Sequence, residues 1–126
     1  MLIIGSILVG LAALLHGYIF LMESVWWRRP ATWKRFGVAD QAQADATRPM
    51  AYNQGFYNLF LGVGAAVGLV LVWAGLVDAG RALVLFATAC MALAAVVLTT
   101  TGPGYWRPAL VQGVLPALGF VAFLFV

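Results

Sequence analysis

Charge is what this chain has least of. Seven basic and four acidic residues supply all of it, 9% of 126 residues, where a soluble domain carries roughly a quarter. With 64% hydrophobic residues and a mean hydropathy of +0.99, the polar surface needed to coat a soluble domain is missing. A soluble globular fold is therefore excluded. One cysteine, Cys90, excludes an intrachain disulfide or a cysteine metal cluster; within "FATACMALAA" it reads as a small core residue. One histidine, one candidate glutamate and a few amides fall short of a usual metal ligand set, so no metal is expected. The excess of basic residues forms no dense patch or aromatic platform, and nucleic acid is not an expected partner. Phosphate-loop, dinucleotide and Ser-His-Asp patterns are absent, and no motif identifies a cofactor.

Long apolar runs are present instead. A membrane-crossing helix needs about 20 mostly apolar residues. Leu2–Met22, Phe56–Val77, Ala82–Leu98 and Pro108–Val126 each approach or meet that length. The expectation is an all-α polytopic membrane protein: one transmembrane domain over 1–126, with helices near 2–27, 49–77, 81–101 and 107–126 in a four-helix bundle. The first run lacks a basic leader and is long for a signal peptide's apolar region, so it reads as retained.

The connections set the expected orientation. Arg28 to Arg48 holds five basic and two acidic residues, and the third connection adds Arg107. These two lie on one side and carry six of the seven basic residues. By the positive-inside rule that side is cytoplasmic, in the cell's inner (plasma) membrane, with both termini outside. Trp26, Trp27, Trp33, Tyr105 and Trp106 cluster at the same boundary as aromatic anchors, and Trp73 marks the opposite one. Pro30 and Pro49 bracket the first connection, whose "GVADQAQADAT" has the composition of a short interfacial helix.

Polar residues inside the runs are few and share a depth. His16 and Glu23 are seven residues apart on the first helix, within 20° of one face at 100° per residue and roughly 10 Å apart along the axis. In "MAYNQGFYNLFLG", Asn53 and Tyr57 are one turn apart, as are Gln54 and Asn58. Gln112 follows Pro108 by one turn, and Thr99–Thr101 end the third helix. All belong to the cytoplasmic half, while the outer halves are plain. Each has a bland alternative. Glu23 can pair with Arg28 or Arg29, and His16 can bond a neighbouring carbonyl. Asn53 and Gln54 can be solvated at the helix start, and Asn58 and Gln112 can join helices at about 1 kcal/mol per bond. Gly64 and Gly68 form a GxxxG pattern that points to close helix packing.

"HGYIFLMESVWW", "NQGFYNLFLG" and "VQGVLPAL" together resemble the small bacterial membrane proteins grouped as domain of unknown function 1304. The resemblance spans nearly the whole chain and implies four membrane helices with His16, Glu23, Asn53, Gln54, Tyr57, Asn58 and Gln112 as signature positions. It implies no activity. The layout is also similar, more loosely, to the MAPEG superfamily of membrane glutathione transferases, trimers with a basic first connection and an arginine and asparagine on their second helix. Arg48, Asn53 and Tyr57 form a comparable pattern. The acidic residue expected shortly after Asn53 is missing, however, with Phe56 at the third place, and glutathione binding does not follow. Small multidrug exporters share the four helices, but their first-helix glutamate lies near mid-span, where this chain has His16.

The functional expectation is a small amphipathic or lipophilic molecule, or a membrane lipid, held in the cytoplasmic leaflet by a homo-oligomeric protein. Glu23 and His16 would form an acid–base or relay pair, and Asn53, Gln54, Tyr57, Asn58, Gln112 and Arg48 would bind the ligand. Whether this makes an enzyme is left open. The alternatives are a proton-coupled transporter and a structural or interaction protein.

Overall fold

In hydrocarbon every backbone N–H and C=O must find a partner within its own segment, so apolar runs of this length become helices. The computed structural model describes residues 1–126 and contains helices and turns but no strand. The helices are α1 (Leu2–Phe20), the short α2 (Pro30–Trp33), α3 (Gln41–Trp73), α4 (Val77–Thr99) and α5 (Trp106–Phe123). A π-helical turn over Leu21–Val25 prolongs α1, and 3₁₀ turns follow α2 and precede α5. Four stretches are long and apolar enough to cross a membrane: Leu2–Val25, Gln41–Trp73, Val77–Thr99 and Pro103–Phe123. Only 28% of the most apolar stretch of each is buried within the chain, as suits helices that a membrane would surround.

The chain divides into two compact units, Met1–Leu15 with Leu61–Val126, and His16–Phe60. The first is a bundle of four antiparallel segments. Trp73 Nε1 donates to Ser6 Oγ at 3.1 Å, joining the start of α1 to the end of α3. Arg81, in the first turns of α4, donates to the carbonyls of Phe123 (3.0 Å) and Leu124 (2.8 Å) at the end of α5. A cation there also suits the negative end of the helix dipole. Val9, Ala12, Ala65, Val72, Val84, Ala87, Met91 and Phe123 form its buried core.

Small residues set the spacing in this bundle. A Cβ on Gly80 would stand 2.6 Å from the backbone of both Gly68 and Val72, so α3 and α4 touch main chain to main chain. Gly68 of the GxxxG pair thus works inside the chain, while at Gly64 an added Cβ would come no nearer than 4.0 Å to Ala87 or Leu83. Gly75, at φ 89°, ends α3: Leu76 N–H bonds Leu71 O at 2.9 Å and Gly75 N–H bonds Val72 O at 3.1 Å. This is the paired closing pattern that a left-handed residue allows. Cys90 is half-buried on α4. Thr99, Thr100 and Thr101 each donate to the carbonyl three residues back, at 2.6–2.7 Å. Their hydroxyls serve their own helix end.

In the second unit the first connection is folded rather than slack. α3 begins at Gln41, and Pro49, placed at a boundary by its sequence context, lies inside it. The interfacial stretch and the second span are therefore one helix. Pro49 removes the bond to the carbonyl of Asp45, which is tolerable in a polar stretch that water can reach. Asp40 starts the helix by accepting from Gln43 N–H at 2.8 Å, and Gln43 Oε1 accepts from Ala39 N–H at 2.8 Å. This reciprocal arrangement resembles a capping box. Trp27 and Trp33 also depart from the anchor expectation. They are 8% and 6% exposed, and their indole N–H groups donate to Ala44 O (2.9 Å) and Gln41 Oε1 (3.1 Å). They form the core of the connection, with Phe36 packed edge-on to Trp27 at 5.1 Å.

Candidate functional site

The site is built where the end of the first span meets the middle of α3, within His16–Phe60. At Leu21 the α-helix widens into a π turn, closed by Trp26 N–H on Leu21 O at 2.8 Å. Single π turns of this kind recur at functional sites. His16 and Glu23 share a face on a helix of 3.6 residues per turn. Beyond Phe20 the wider turn sets the direction of Glu23 by its own geometry. There Glu23 is half-buried, and its Oε2 accepts from Asn58 Nδ2 at 3.0 Å.

The surrounding contacts fix this pair. Asn58 Nδ2 also donates to Gln54 O, one turn back, at 3.2 Å. The amide nitrogen therefore faces two oxygens, which settles its orientation. Ser24, the next residue on the π turn, donates from Oγ to Tyr52 O at 2.7 Å. That bond requires α3 to present bare backbone: a Cβ on Gly55 would collide with Ser24 Oγ and stand 3.0 Å from Ser24 N. Phe20 packs edge-on against Phe56 at 5.1 Å, with Tyr52 and Phe60 on either side of Phe56 at 5.0 and 6.1 Å. These rings form an aromatic cluster between the first span and α3.

Of the residues singled out in the sequence, the structure joins Glu23 to Asn58, with Gln54 entering through its carbonyl. His16 is wholly buried at 0% exposure. Asn53, Gln54 and Arg48 have exposed side chains, and Tyr57 is 63% exposed. Gln112 lies on α5 in the other unit, half-buried. Ser24 and Gly55 were missed by sequence reasoning. The signal for them was slight: a small hydroxyl beside Glu23, and a glycine inside an otherwise bulky polar–aromatic run. No group of three His, Cys, Asp or Glu side chains is gathered anywhere in the chain.

What the pair can do follows from its unused atoms. Asn58 commits both amide hydrogens, one to Glu23 and one to Gln54. Its Oδ1 and the second carboxyl oxygen of Glu23 remain as acceptors. Polar atoms of this kind within a span mark a functional hypothesis, because lipid offers them no partner.

Helical spans, a π-turn glutamate and an asparagine on the facing helix define a polytopic α-helical membrane protein with a polar site inside its apolar stretch. Residues 10–124 match the family described as Protein of unknown function (DUF1304), and the chain belongs to that family. The matched region contains all of the site residues named above. No curated protein and no solved structure gives a match, so the looser resemblance to the MAPEG superfamily gains no support there.

Proposed function

We propose that the protein binds the polar end of a small amphipathic molecule at the Glu23–Asn58 pair, on the cytoplasmic side of the membrane. The observation that carries this is the 3.0 Å bond between Glu23 Oε2 and Asn58 Nδ2, which leaves one acceptor oxygen on each side chain, in a unit that also holds the Phe20–Phe56 ring contact. A ligand for such a site brings N–H or O–H donors and an apolar body. An amine- or hydroxyl-bearing amphiphile fits better than an anion. Glu23 is then the group placed to exchange a proton with the ligand, with Gln54, Asn53 and Tyr57 along the same turns of α3. The sidedness rests on the basic first and third connections.

Native mass spectrometry of the detergent-purified protein, wild type beside Glu23→Gln and Asn58→Leu, tests this. A small molecule retained by the wild type and lost from both variants is the expected result, and the same spectrum gives the oligomeric state. If the wild type carries none, and Glu23→Gln only lowers the melting temperature, the pair is a packing device and the proposal fails. The complete burial of His16, seven residues before Glu23 on the same helical stretch, favours a second reading, a proton relay in a transporter. That reading expects substrate-dependent proton flux in liposomes that Glu23→Gln abolishes.

A further inference from the structure

The first connection carries a second cluster whose chemistry is the opposite of the Glu23–Asn58 pair. Its two acids are engaged: Asp40 accepts from Gln43 N–H, and Asp45 Oδ1 lies 3.2 Å from Arg28 Nε and 3.1 Å from Gln41 Nε2. Arg29 and Arg35 have no carboxylate partner, and both are exposed. Neither is loose. The guanidinium of Arg29 sits 5.3 Å from the ring centroid of Trp26. Trp26 meets Tyr18 edge-on, with centroids 6.2 Å apart. Arg35 Nη1 donates to the Tyr18 hydroxyl at 3.2 Å. One aromatic pair therefore collects two guanidinium groups.

Like charges gathered on one platform without a counter-ion repel, and an anion completes the arrangement. The open valences agree on its type. Guanidinium forks match the oxygens of a phosphate. Tyr18 has accepted a bond and still holds its own hydrogen to give, and the indole N–H of Trp26 bonds nothing within the chain. Every one of these groups offers a donor, so the ligand is rich in acceptors and negatively charged. Position narrows it further. Tyr18 lies within the span Leu2–Val25 and is 40% exposed, whereas Arg29 and Arg35 lie past the end of the span. An anion held there has apolar surface directly beneath it, at the level where lipid headgroups stand.

We propose that Arg29, Arg35, Tyr18 and Trp26 form a binding site for the phosphodiester of an anionic phospholipid, whose acyl chains run along the exposed face of α1. This site is independent of the Glu23–Asn58 pair, which offers acceptors and no cation.

The full chain, purified in detergent, is titrated with phosphatidylglycerol and with phosphatidylcholine, and retained lipid is counted by native mass spectrometry. The expected result is preferential retention of phosphatidylglycerol by the wild type. Binding by the R29Q/R35Q double variant weakens about tenfold or more, and Lys34→Gln changes it by less than about twofold. Lys34, over the buried Trp33 at 5.7 Å, supplies the same charge off the platform. An equal loss from Lys34→Gln makes the attraction diffuse and overturns the site. Absence of any preference in the wild type overturns it whether or not the variants fold. Displacement of the lipid by millimolar inorganic phosphate assigns the platform to a free anion and overturns the lipid assignment.

Discussion

The two units hold their helices together by different means. In Met1–Leu15 with Leu61–Val126, directional bonds join helix ends only, through Trp73 and Arg81, and along their length the helices meet where side chains are missing: Gly80 against Gly68 and Val72, Gly119 against Val9, Gly113 against Ala95. Several hydroxyls there turn back on their own helix, as Thr88 does in donating to Val84 O at 2.7 Å. In His16–Phe60 the contacts are directional instead. Two indole N–H groups, the Ser24 hydroxyl and the Asn58 amide each cross from one segment to another. Lipid competes weakly for close-packed backbone, because such packing depends on shape rather than on leaving water. Directional bonds, by contrast, leave part of their valence open. That is why the proposed binding chemistry falls in the second unit, where such valences are found.

Trp27→Ala should test this contrast with the largest effect. Losing the buried indole and its bond to Ala44 O is expected to cost about 3 kcal/mol locally. Hydrogen exchange should show it as faster exchange over Pro30–Asp45, with the amides of α4 and α5 unchanged. If protection falls equally throughout, the two units are one cooperative body and the comparison breaks.

Gly80→Val comes next. Its Cβ meets backbone that cannot swing aside, and overpacking of about 2 kcal/mol is expected. Denaturant titration in detergent micelles should register the loss, while, in a background with Trp26, Trp73 and Trp106 replaced by Phe, the emission of Trp27 and Trp33 that reports the connection stays at its native wavelength. A red shift in that emission at the same denaturant concentration would argue against separate units.

Gly55→Ala is the smallest of the three, at about 1 kcal/mol, because it opposes the end of a side chain as well as backbone. Ser24→Gly in the same protein should recover part of the loss, since it removes the colliding Oγ and Cβ. No recovery in melting temperature would mean that the crossing is set by something other than the Ser24–Gly55 contact.

Much of the scaffold was legible in the sequence, since runs such as Leu2–Met22 have no other stable form in a membrane. The folded connection was much less so. Pro49 reads as a stop in any local scheme, yet here it interrupts only one bond of a helix secured by Gln41, Ala44 and Asp45. Trp27 and Trp33 have the composition of belt residues, and only their tertiary partners reveal that they face inward. For the site, a shared depth brought Glu23 and Asn58 into the same set of residues. Their pairing depends on the π turn at Leu21–Val25, and hydrophobic spacing carries no trace of an added residue in a turn. Gln112 was grouped with them by depth alone, and depth does not specify the azimuth of a helix.

The single length of α3 has a mechanical consequence. Its 33 residues make a rod of about 50 Å, and as a lever it would have its fulcrum at the crossing where Ser24 meets Gly55. Asn58 sits three residues beyond that fulcrum, about 4.5 Å along the axis, and Ala44 sits eleven residues before it, about 16 Å away. A sideways swing of the connection therefore reaches Asn58 reduced to roughly a quarter, with the break at Pro49 absorbing more of it. On that gearing a displacement of the Gln41 end would reach the Glu23–Asn58 pair much diminished.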